Sequence, residues 1–328
     1  MPELPDITIY LEALRARALG ATLLEIRVYG PSWLRTVEPT RAEAEGRRVR
    51  GLRRIGKRIV FELEEELFLV LHLMVAGRLR WRGIAKPTAS TPRAARQPRN
   101  VLGELVFSTG TLVATEAGTR KRASLYLLRG EAALAEHDPG GLEPVGAARD
   151  AFAAQLRAGN HTLKRALTDP HVLSGIGNAY SDEILHAARL SPFKQTQKLT
   201  EEEMDQLHAA TQHTLQLWTE RLRAETGDAF PEHVTAFRPE MAVHGRYREA
   251  CPRCGAPVQR IAYAANEANY CARCQTDGKL LADRALSRLL HDDWPKSLEE
   301  MELRRPATAP RGEAAPGAAR PRPARRGR

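Results

Sequence analysis

The residues best suited to chemistry are four cysteines, arranged as two C-x2-C pairs with sixteen residues between the pairs. They are Cys251, Cys254, Cys271 and Cys274, and the sequence contains no other cysteine. Each pair can form a tight knuckle, and a hairpin between the pairs would bring the four thiolates together as a tetrahedral zinc site. Two disulfides or a redox pair are the alternatives, but the acidic N-terminal residues do not fit a secretory segment. The spacing therefore favours one structural zinc ion.

A second candidate site is the glycine turn at residues 175–178, which leads into a predicted helix. Free backbone N–H groups at the start of such a helix, together with the Asn178 amide, would form a phosphate cradle. The alternative is a packing turn that needs glycine for its geometry alone. Both interpretations are open at this point.

Hydrophobic periodicity predicts the elements that must position these residues. A helix over residues 3–19 would place Ile7, Tyr10, Leu11 and Leu14 on one face, and Gly20 would end it. Short alternating segments then predict a β-sandwich or flattened barrel. The predicted strands are Leu24–Tyr29, Arg58–Glu64, Glu66–Leu73, Glu104–Ser108, Thr111–Thr115 and Ala123–Leu128. After the linker at 137–141, the predicted helices are Asp150–Arg157, Thr162–Thr168, Asn178–Ala188, Thr200–Glu225 and, later, Leu280–Leu290.

The net charge of +10 suggests a polyanionic partner, but its source is uneven. From Arg304 to Arg328 there are eight arginines and one acid, Glu313, so this segment carries +7 and the remainder only +3 (10 minus 7). A tail rich in Pro, Ala, Arg and Gly cannot bury a core, and we expect it to be disordered. Arg82–Asn100 is expected to be a mobile basic loop. No apolar run is long enough to span a bilayer.

Four landmarks follow one another along the chain in the order of a known family. They are Met1-Pro-Glu-Leu-Pro-Asp6, then Gly56-Lys57 with His72–Arg80, then Leu163–Leu167 with Gly175–Glu183, and finally Val243–Arg246 before the cysteines. On these residues, which cover positions 2 to about 275, the chain resembles the formamidopyrimidine-DNA glycosylase/endonuclease VIII family. The resemblance implies an α+β fold: a β-sandwich with a flanking helix, a helix–two-turn–helix domain and a zinc-ribbon hairpin, with DNA between the domains.

The resemblance also implies a reaction, namely base-excision repair by a DNA glycosylase with abasic-site lyase activity. Trimming of Met1 would leave a secondary amine on Pro2, which titrates lower than lysine and attacks the sugar C1′ as a nucleophile. Glu3 matches the family carboxyl group that moves protons beside this amine. Without the other landmarks, Pro2 and Glu3 would be an ordinary start of a helix.

Further site residues are carried over from the family by position. Lys57 matches the catalytic-site lysine that contacts the phosphate next to the lesion, and His72 matches a backbone-contacting residue, although a lone histidine in a strand is more often a core residue. Lys164 and Asn178 match residues that bind the DNA backbone. Arg120 matches a residue that fills the gap left by the flipped base.

The chain departs from the family where the zinc hairpin normally presents an arginine to DNA. Asn266 stands at that position, followed by Glu267. An amide cannot form the charged, bidentate hydrogen bonds that a guanidinium forms with a phosphate. Arg122 replaces an aromatic residue, Asp6 replaces a glutamate, and residues 227–238 lack a glycine-rich loop that closes over 8-oxoguanine in some members. We therefore do not predict 8-oxoguanine as the preferred substrate.

The predicted domains are 2–130 (β-sandwich), 131–149 (linker), 150–240 (helix–two-turn–helix), 241–278 (zinc hairpin), 279–303 (helical extension) and 304–328 (tail). The expected partner is DNA with a damaged base or abasic site; the protein is expected to be a monomer, cytoplasmic or nucleoid-associated. A catalytically weakened damage sensor on the same scaffold is the rival interpretation, and Pro2-Glu3 argues against it. An RNA-binding zinc-ribbon protein would explain only the cysteines and the tail.

Overall fold

The structure is a computed structural model that describes residues 1–84, 100–232, 234–235, 237–263, 266–282 and 295–303. These residues form two four-stranded antiparallel sheets, a group of helices and a two-stranded hairpin, so the predicted α+β class is confirmed. The predicted basic loop, helix Leu280–Leu290 and tail lie wholly or mostly outside the described residues, and those parts stay predictions. Where the structure does describe them, Arg82 and Gly83 belong to a strand and not to the loop, and residues 280–282 are not helical. Within these ranges, no helix combines the length and apolar character that a bilayer crossing needs.

The N-terminal part consists of one long helix, two sheets and two short helices. Its elements are α1 (Leu4–Ala18), β1 (Leu23–Val28), α2 (Arg41–Ala44), β2 (Val49–Ile55), β3 (Arg58–Leu63), β4 (Leu67–His72), β5 (Gly77–Gly83), β6 (Val101–Phe107), β7 (Gly110–Glu116), β8 (Ser124–Arg129) and α3 (Gly130–Ala135). One sheet has the order β1-β6-β7-β5 and the other the order β2-β3-β4-β8.

The two sheets pack face to face around a shared apolar core, with α1 along one side. Phe61 of one sheet stacks on Phe107 of the other at 5.7 Å between ring centroids. Strand β4 is apolar from Leu67 to Leu71 because both of its faces are covered. Leu69 points into the sandwich, whereas Phe68 packs toward Leu134 of α3. A strand buried on both sides loses the alternation that a half-exposed strand shows.

The C-terminal part is helical and ends in the hairpin that carries the cysteines. Its elements are α4 (Arg149–Arg157), α5 (Leu163–Thr168), α6 (Asn178–Ala187), α7 (Glu201–Thr226), β9 (Val258–Tyr263), β10 (Asn266–Cys271), α8 (Ala272–Gln275) and α9 (Leu298–Leu303). The predicted capping box of α7 is present, since Glu203 N donates to Thr200 Oγ1 at 3.2 Å and Thr200 N donates to Glu203 Oε2 at 3.0 Å.

Helix α1 joins the two parts of the molecule. It packs against β2 on one side and α7 on the other, and Leu4 N donates to Gly175 O at 2.9 Å. Arg54 of β2 crosses the same junction, where it pairs with Glu143 and donates to Ser174 Oγ at 3.3 Å. The start of the chain is therefore held between the sandwich and the helical domain.

Candidate active site

The carboxylate of Glu3 lies at the N-terminus of α6. Its oxygens accept hydrogen bonds from Gly177 N at 2.7 Å, Ala179 N at 2.9 Å and Tyr180 N at 3.2 Å, and the residue is 2% exposed. The first N–H groups of a helix have no partner within the helix and carry its positive dipole end, so a carboxylate is a suitable acceptor there. These contacts fix the carboxylate of Glu3, the residue that follows the buried Pro2 in the chain.

This arrangement corrects the prediction made for the glycine turn. The backbone N–H groups that were expected to bind a phosphate are occupied by Glu3, so the anion at this helix start belongs to the protein itself. Gly177 is required for the approach, because a Cβ there would lie 2.5 Å from Glu3 Cδ. The half-buried Asn178 side chain has no hydrogen-bond partner among the described residues, and its predicted contact with the DNA backbone stays a prediction.

Lys57 reaches the same turn from the sandwich. Gly56 has a φ of +57°, which makes the tight β2–β3 turn, and Lys57 Nζ donates to Ile176 O at 2.7 Å. Burial lowers the pKa of Lys57, and the negative charge of Glu3 partly offsets that effect. Pro2, Glu3 and Lys57, the three predicted catalytic residues, are thus brought together at the domain junction.

Asp6 is a further buried acid at this junction. Its Oδ2 accepts the Glu3 backbone N–H at 2.9 Å, whereas Oδ1 has no hydrogen-bond partner among the described residues. Burial raises the pKa of Asp6 to about 6; the nearby charge of Glu3 also raises it, and the Glu3 N–H and Arg238 lower it. Arg238 Nη2 lies 4.0 Å from Asp6 Oδ1, and sequence reasoning missed this residue because the two are far apart in the chain.

Lys164 has a different environment from the one predicted. It is 3% exposed, and its ammonium donates to Asp182 Oδ1 at 2.6 Å, Asn178 O at 2.7 Å and Ser181 Oγ at 2.8 Å. An ammonium has three N–H donors, and all three are used here. The structure therefore gives Lys164 the role of holding the first turn of α6 and leaves no donor for a DNA phosphate.

His72 and Arg120 both belong to the sandwich: His72 ends strand β4, and Arg120 follows strand β7. Burial lowers the pKa of the half-buried His72 to about 4, and the cations Arg58 and Lys57 lower it further, so at neutral pH its ring carries no charge for a phosphate. Arg120 is exposed on the loop between β7 and β8. The buried Glu116 carboxylate holds that loop by accepting Arg122 N at 2.8 Å and Ala123 N at 3.1 Å.

A second exposed loop lies beside the Arg120 loop. It joins β4 to β5, and Met74 adopts a φ of +52°, a conformation that is uncommon for a residue with a side chain. Its neighbour Val75 is 62% exposed. A Cβ on Gly118 would lie 3.7 Å from Ala76 Cβ, which places the two loops in contact.

The four cysteines converge as the spacing predicts. Their sulfur atoms all lie within 4.8 Å of one another, with 3.4 Å between the Sγ atoms of Cys254 and Cys271 and 4.0 Å between those of Cys251 and Cys274. Both separations exceed a disulfide bond of about 2.05 Å. They bracket the roughly 3.8 Å between sulfurs that bonds of about 2.3 Å to a tetrahedral zinc ion require. The site therefore fits zinc, and not the two disulfides considered as an alternative.

The hairpin is anchored to α6 by a buried polar network that the sequence did not reveal. Asp182 accepts from Asn269 Nδ2 at 3.1 Å and is paired with His244 Nδ1 at 2.8 Å. Glu183 accepts the backbone N–H groups of residues 242–244. Asn266 begins β10 opposite Tyr263, and the placement of its side chain lies outside what the structure describes.

Three family models match successive parts of the chain. The formamidopyrimidine-DNA glycosylase N-terminal domain matches residues 1–121, its H2TH domain matches residues 141–226, and the zinc finger found in FPG and IleRS matches residues 248–276. The last match and the geometry of the four cysteines agree, and the protein holds one structural zinc ion at Cys251, Cys254, Cys271 and Cys274.

Related proteins match either most of the chain or about half of it. The formamidopyrimidine-DNA glycosylase of Thermus thermophilus is 32% identical over 283 residues, which are 85% of this chain and 100% of the relative. An uncharacterized formamidopyrimidine-DNA glycosylase-like protein of Mycobacterium tuberculosis is 38% identical over 150 residues, 46% of this chain and 93% of that protein. The structure of the Lactococcus lactis protein in complex with DNA containing an abasic site has a TM-score of 0.71 and 26% identity, covering 84% of this chain and 99% of the other. The chain belongs to the formamidopyrimidine-DNA glycosylase family.

Proposed function

We propose that this DNA glycosylase excises a damaged base through a covalent bond to the Pro2 amine and then cleaves the strand as an abasic-site lyase. The observation that carries the proposal is the position of Glu3. Its carboxylate is held on α6 by three N–H groups, and Glu3 is the next residue after Pro2, which becomes the chain terminus once Met1 is removed. A positioned carboxyl group next to an amine is the arrangement that nucleophilic catalysis requires.

The surroundings favour a neutral amine. In the untrimmed chain, burial lowers the pKa of the terminal amine of Met1; Glu3 opposes this effect, and Arg78 and Lys57 add to it. An α-amine ordinarily titrates near pH 8. We expect burial to act in the same direction on the Pro2 amine once Met1 is removed, so that a larger fraction of this amine is unprotonated at neutral pH, which is the form that attacks carbon.

The reaction can be written with all bonds accounted for. The Pro2 nitrogen forms a bond to C1′, the bond from C1′ to the base breaks, and the base leaves with the electron pair and gains a proton relayed by Glu3. The nitrogen loses its own proton, and opening of the sugar ring at C1′–O4′ gives an iminium with a proton added to O4′. Loss of the C2′ proton then expels the 3′ phosphate, and water releases the enzyme from the sugar.

DNA with a damaged base or abasic site is the proposed partner. The L. lactis relative was solved with DNA that contains an abasic site. In this chain, Lys57 stands at the junction to bind the phosphate beside the lesion, and Arg120 stands on an exposed loop to enter the gap left by the flipped base. Asn178 and His72 would add neutral hydrogen bonds to the backbone.

Single-turnover excision tests the role of Glu3. The substrate panel is a set of duplexes that carry oxidised pyrimidines, ring-opened purines or an abasic site. Glu3→Gln should slow excision by about 10²-fold or more, because proton transfer by a positioned group contributes that much. The matched control is Glu12→Gln on the same helix, whose carboxylate pairs with Arg223, and it should retain wild-type rates. Equal rates for Glu3→Gln and Glu12→Gln would remove the proposal.

A damage sensor without catalysis is the second candidate, and the hairpin is the observation that favours it. Where relatives present an arginine, this chain has Asn266 and then Glu267, whose carboxylate would repel a phosphate. Glu267 is partly neutralised, since its Oε1 accepts Asn269 Nδ2 at 3.1 Å and Oε2 lies 3.8 Å from Arg260 Nη1. Tight binding to lesion DNA with no excision of any lesion in the panel would support the sensor.

A further inference from the structure

A buried histidine lies against one of the zinc ligands. His186 belongs to α6, is 4% exposed, and its Nε2 is 3.3 Å from Cys251 Sγ. Cys251 is itself 2% exposed, so no solvent competes for its sulfur. The cysteine spacing gives no indication of this contact, because the two residues are 65 positions apart in the sequence.

Other hydrogen bonds hold the cysteine knuckles on the same end of the helix. Arg253, between the first two cysteines, donates to His186 O at 2.9 Å. Gln275, next to the last cysteine, accepts Cys271 N at 2.9 Å and donates to Leu190 O at 2.9 Å. The zinc site is therefore packed against the helical domain, and His186 is the residue of that domain that contacts a cysteine sulfur.

We propose that His186 donates its Nε2–H to the Cys251 thiolate and so makes this zinc site more resistant to loss of the metal. Four thiolates around one zinc ion carry excess negative charge, and an N–H···S hydrogen bond reduces the repulsion among them. Partners of this kind fix the orientation of a ligand and tune the metal, and their removal costs about 10-fold to 100-fold in affinity. His186 acts through Cys251 and is a positioning residue, not a fifth ligand.

The position of His186 also links the zinc site to the junction where Glu3 lies. Helix α6 has 10 residues and so spans roughly 15 Å. Its first N–H groups hold the Glu3 carboxylate, and its last turn holds the zinc knuckle. One short rigid element thus carries both contacts.

Release of zinc to a chelator tests the proposal without any measurement of activity. His186→Phe fills the space but has no donor, whereas His186→Gln keeps an N–H donor on a side chain of similar reach. Zinc release, followed with a metal-sensitive dye, should be at least about 10-fold faster for His186→Phe than for wild type and near wild type for His186→Gln. His208→Phe is the control, because His208 contacts Ala147 O in the same domain and no cysteine.

A wild-type release rate in folded His186→Phe, or equal release from the Phe and Gln variants, would overturn the proposal. If His186→Phe does not fold, wild-type protein loaded with an NMR-active cadmium isotope decides the question. A scalar coupling between the metal and the imidazole N–H proton is expected, since a hydrogen bond to the thiolate transmits it. A resolved imidazole proton with no such coupling would refute the hydrogen bond.

Discussion

Gly177→Ala is the substitution whose consequence follows most directly from the structure. Gly177 has φ −131° and ψ −154°, an extended conformation that alanine adopts without strain. The added Cβ would lie 2.5 Å from Glu3 Cδ, 2.6 Å from Oε1 and 2.9 Å from Cγ. The carboxylate must therefore move away from the N–H groups of α6.

The expected loss of stability comes from two contributions. Overpacking of a filled interior costs about 1–3 kcal/mol, and loss of one hydrogen bond to a buried charged group costs a further amount of about 1.5–3 kcal/mol. Gly177→Ala should therefore lower the free energy of unfolding by roughly 2.5–6 kcal/mol. Base excision should fall by about 10²-fold or more, because the Glu3 carboxylate no longer keeps its position on α6.

Urea unfolding and single-turnover kinetics measure the two effects, and a double-mutant cycle assigns them. Glu3→Ala removes the atoms that the new Cβ would contact, so most of the stability penalty of Gly177→Ala should vanish in that background. Gly83→Ala is the matched control, because a Cβ there meets no atom within 4 Å and its φ is not positive. A full penalty in the Glu3→Ala background, or wild-type behaviour of Gly177→Ala, would refute the reasoning.

Three other perturbations test separate parts of the account. Protonated Asp6 stabilises the fold below pH 4, and this contribution is lost as pH rises through its pKa of about 6. In urea titrations, the stability of wild type relative to Asp6→Asn should therefore fall by up to about 3 kcal/mol between pH 4 and 7. A difference that stays constant with pH would contradict the assignment. Lys164→Met should cost about 3–5 kcal/mol, because it takes the ammonium away from the buried Asp182 Oδ1 and leaves that carboxylate with its contacts at Oδ2 alone. The salt dependence of DNA binding should not change; a flatter salt slope in a folded variant would show that Lys164 contacts a phosphate. Deletion of residues 304–328 should flatten the salt slope of non-specific binding, and an unchanged slope would show that the arginines do not touch DNA.

Features encoded by local patterns were predicted well from the sequence. The predicted helices over residues 3–19, 150–157, 162–168, 178–188 and 200–225 each agree with the structure to within about one residue at either end. Apolar periodicity and capping residues are properties of a few consecutive positions, and they do not depend on the rest of the fold. The cysteine spacing predicted the zinc site for the same reason.

Two strands rich in arginine were missed. Strand β2 reads Val-Arg-Gly-Leu-Arg-Arg-Ile and strand β5 reads Gly-Arg-Leu-Arg-Trp-Arg-Gly, so each offers few apolar residues to a periodicity search. Their pairing with β3 and β7 stabilises them. Hydrogen bonds between backbone groups do not depend on side-chain type, so the sequence of either strand does not reveal them.

The chemistry of the glycine turn required the tertiary structure. The glycine turn predicted that the start of α6 binds a phosphate. The group bound there is instead the carboxylate of Glu3, which is 174 residues away from Gly177. Lys164 was predicted to bind DNA because the sequence does not show its ion pair with Asp182, which lies 18 positions later on another helix. Arg238 and His186 gain their roles only through contacts between distant elements.

Mapping the covalent bond tests the central claim most directly. Wild-type protein is incubated with a duplex that contains an abasic site, reduced with borohydride, digested and analysed by tandem mass spectrometry. The account predicts one adduct, on the ring nitrogen of Pro2, in a peptide that lacks Met1. An adduct on Lys57 or another lysine, or an active protein that retains Met1, would contradict it.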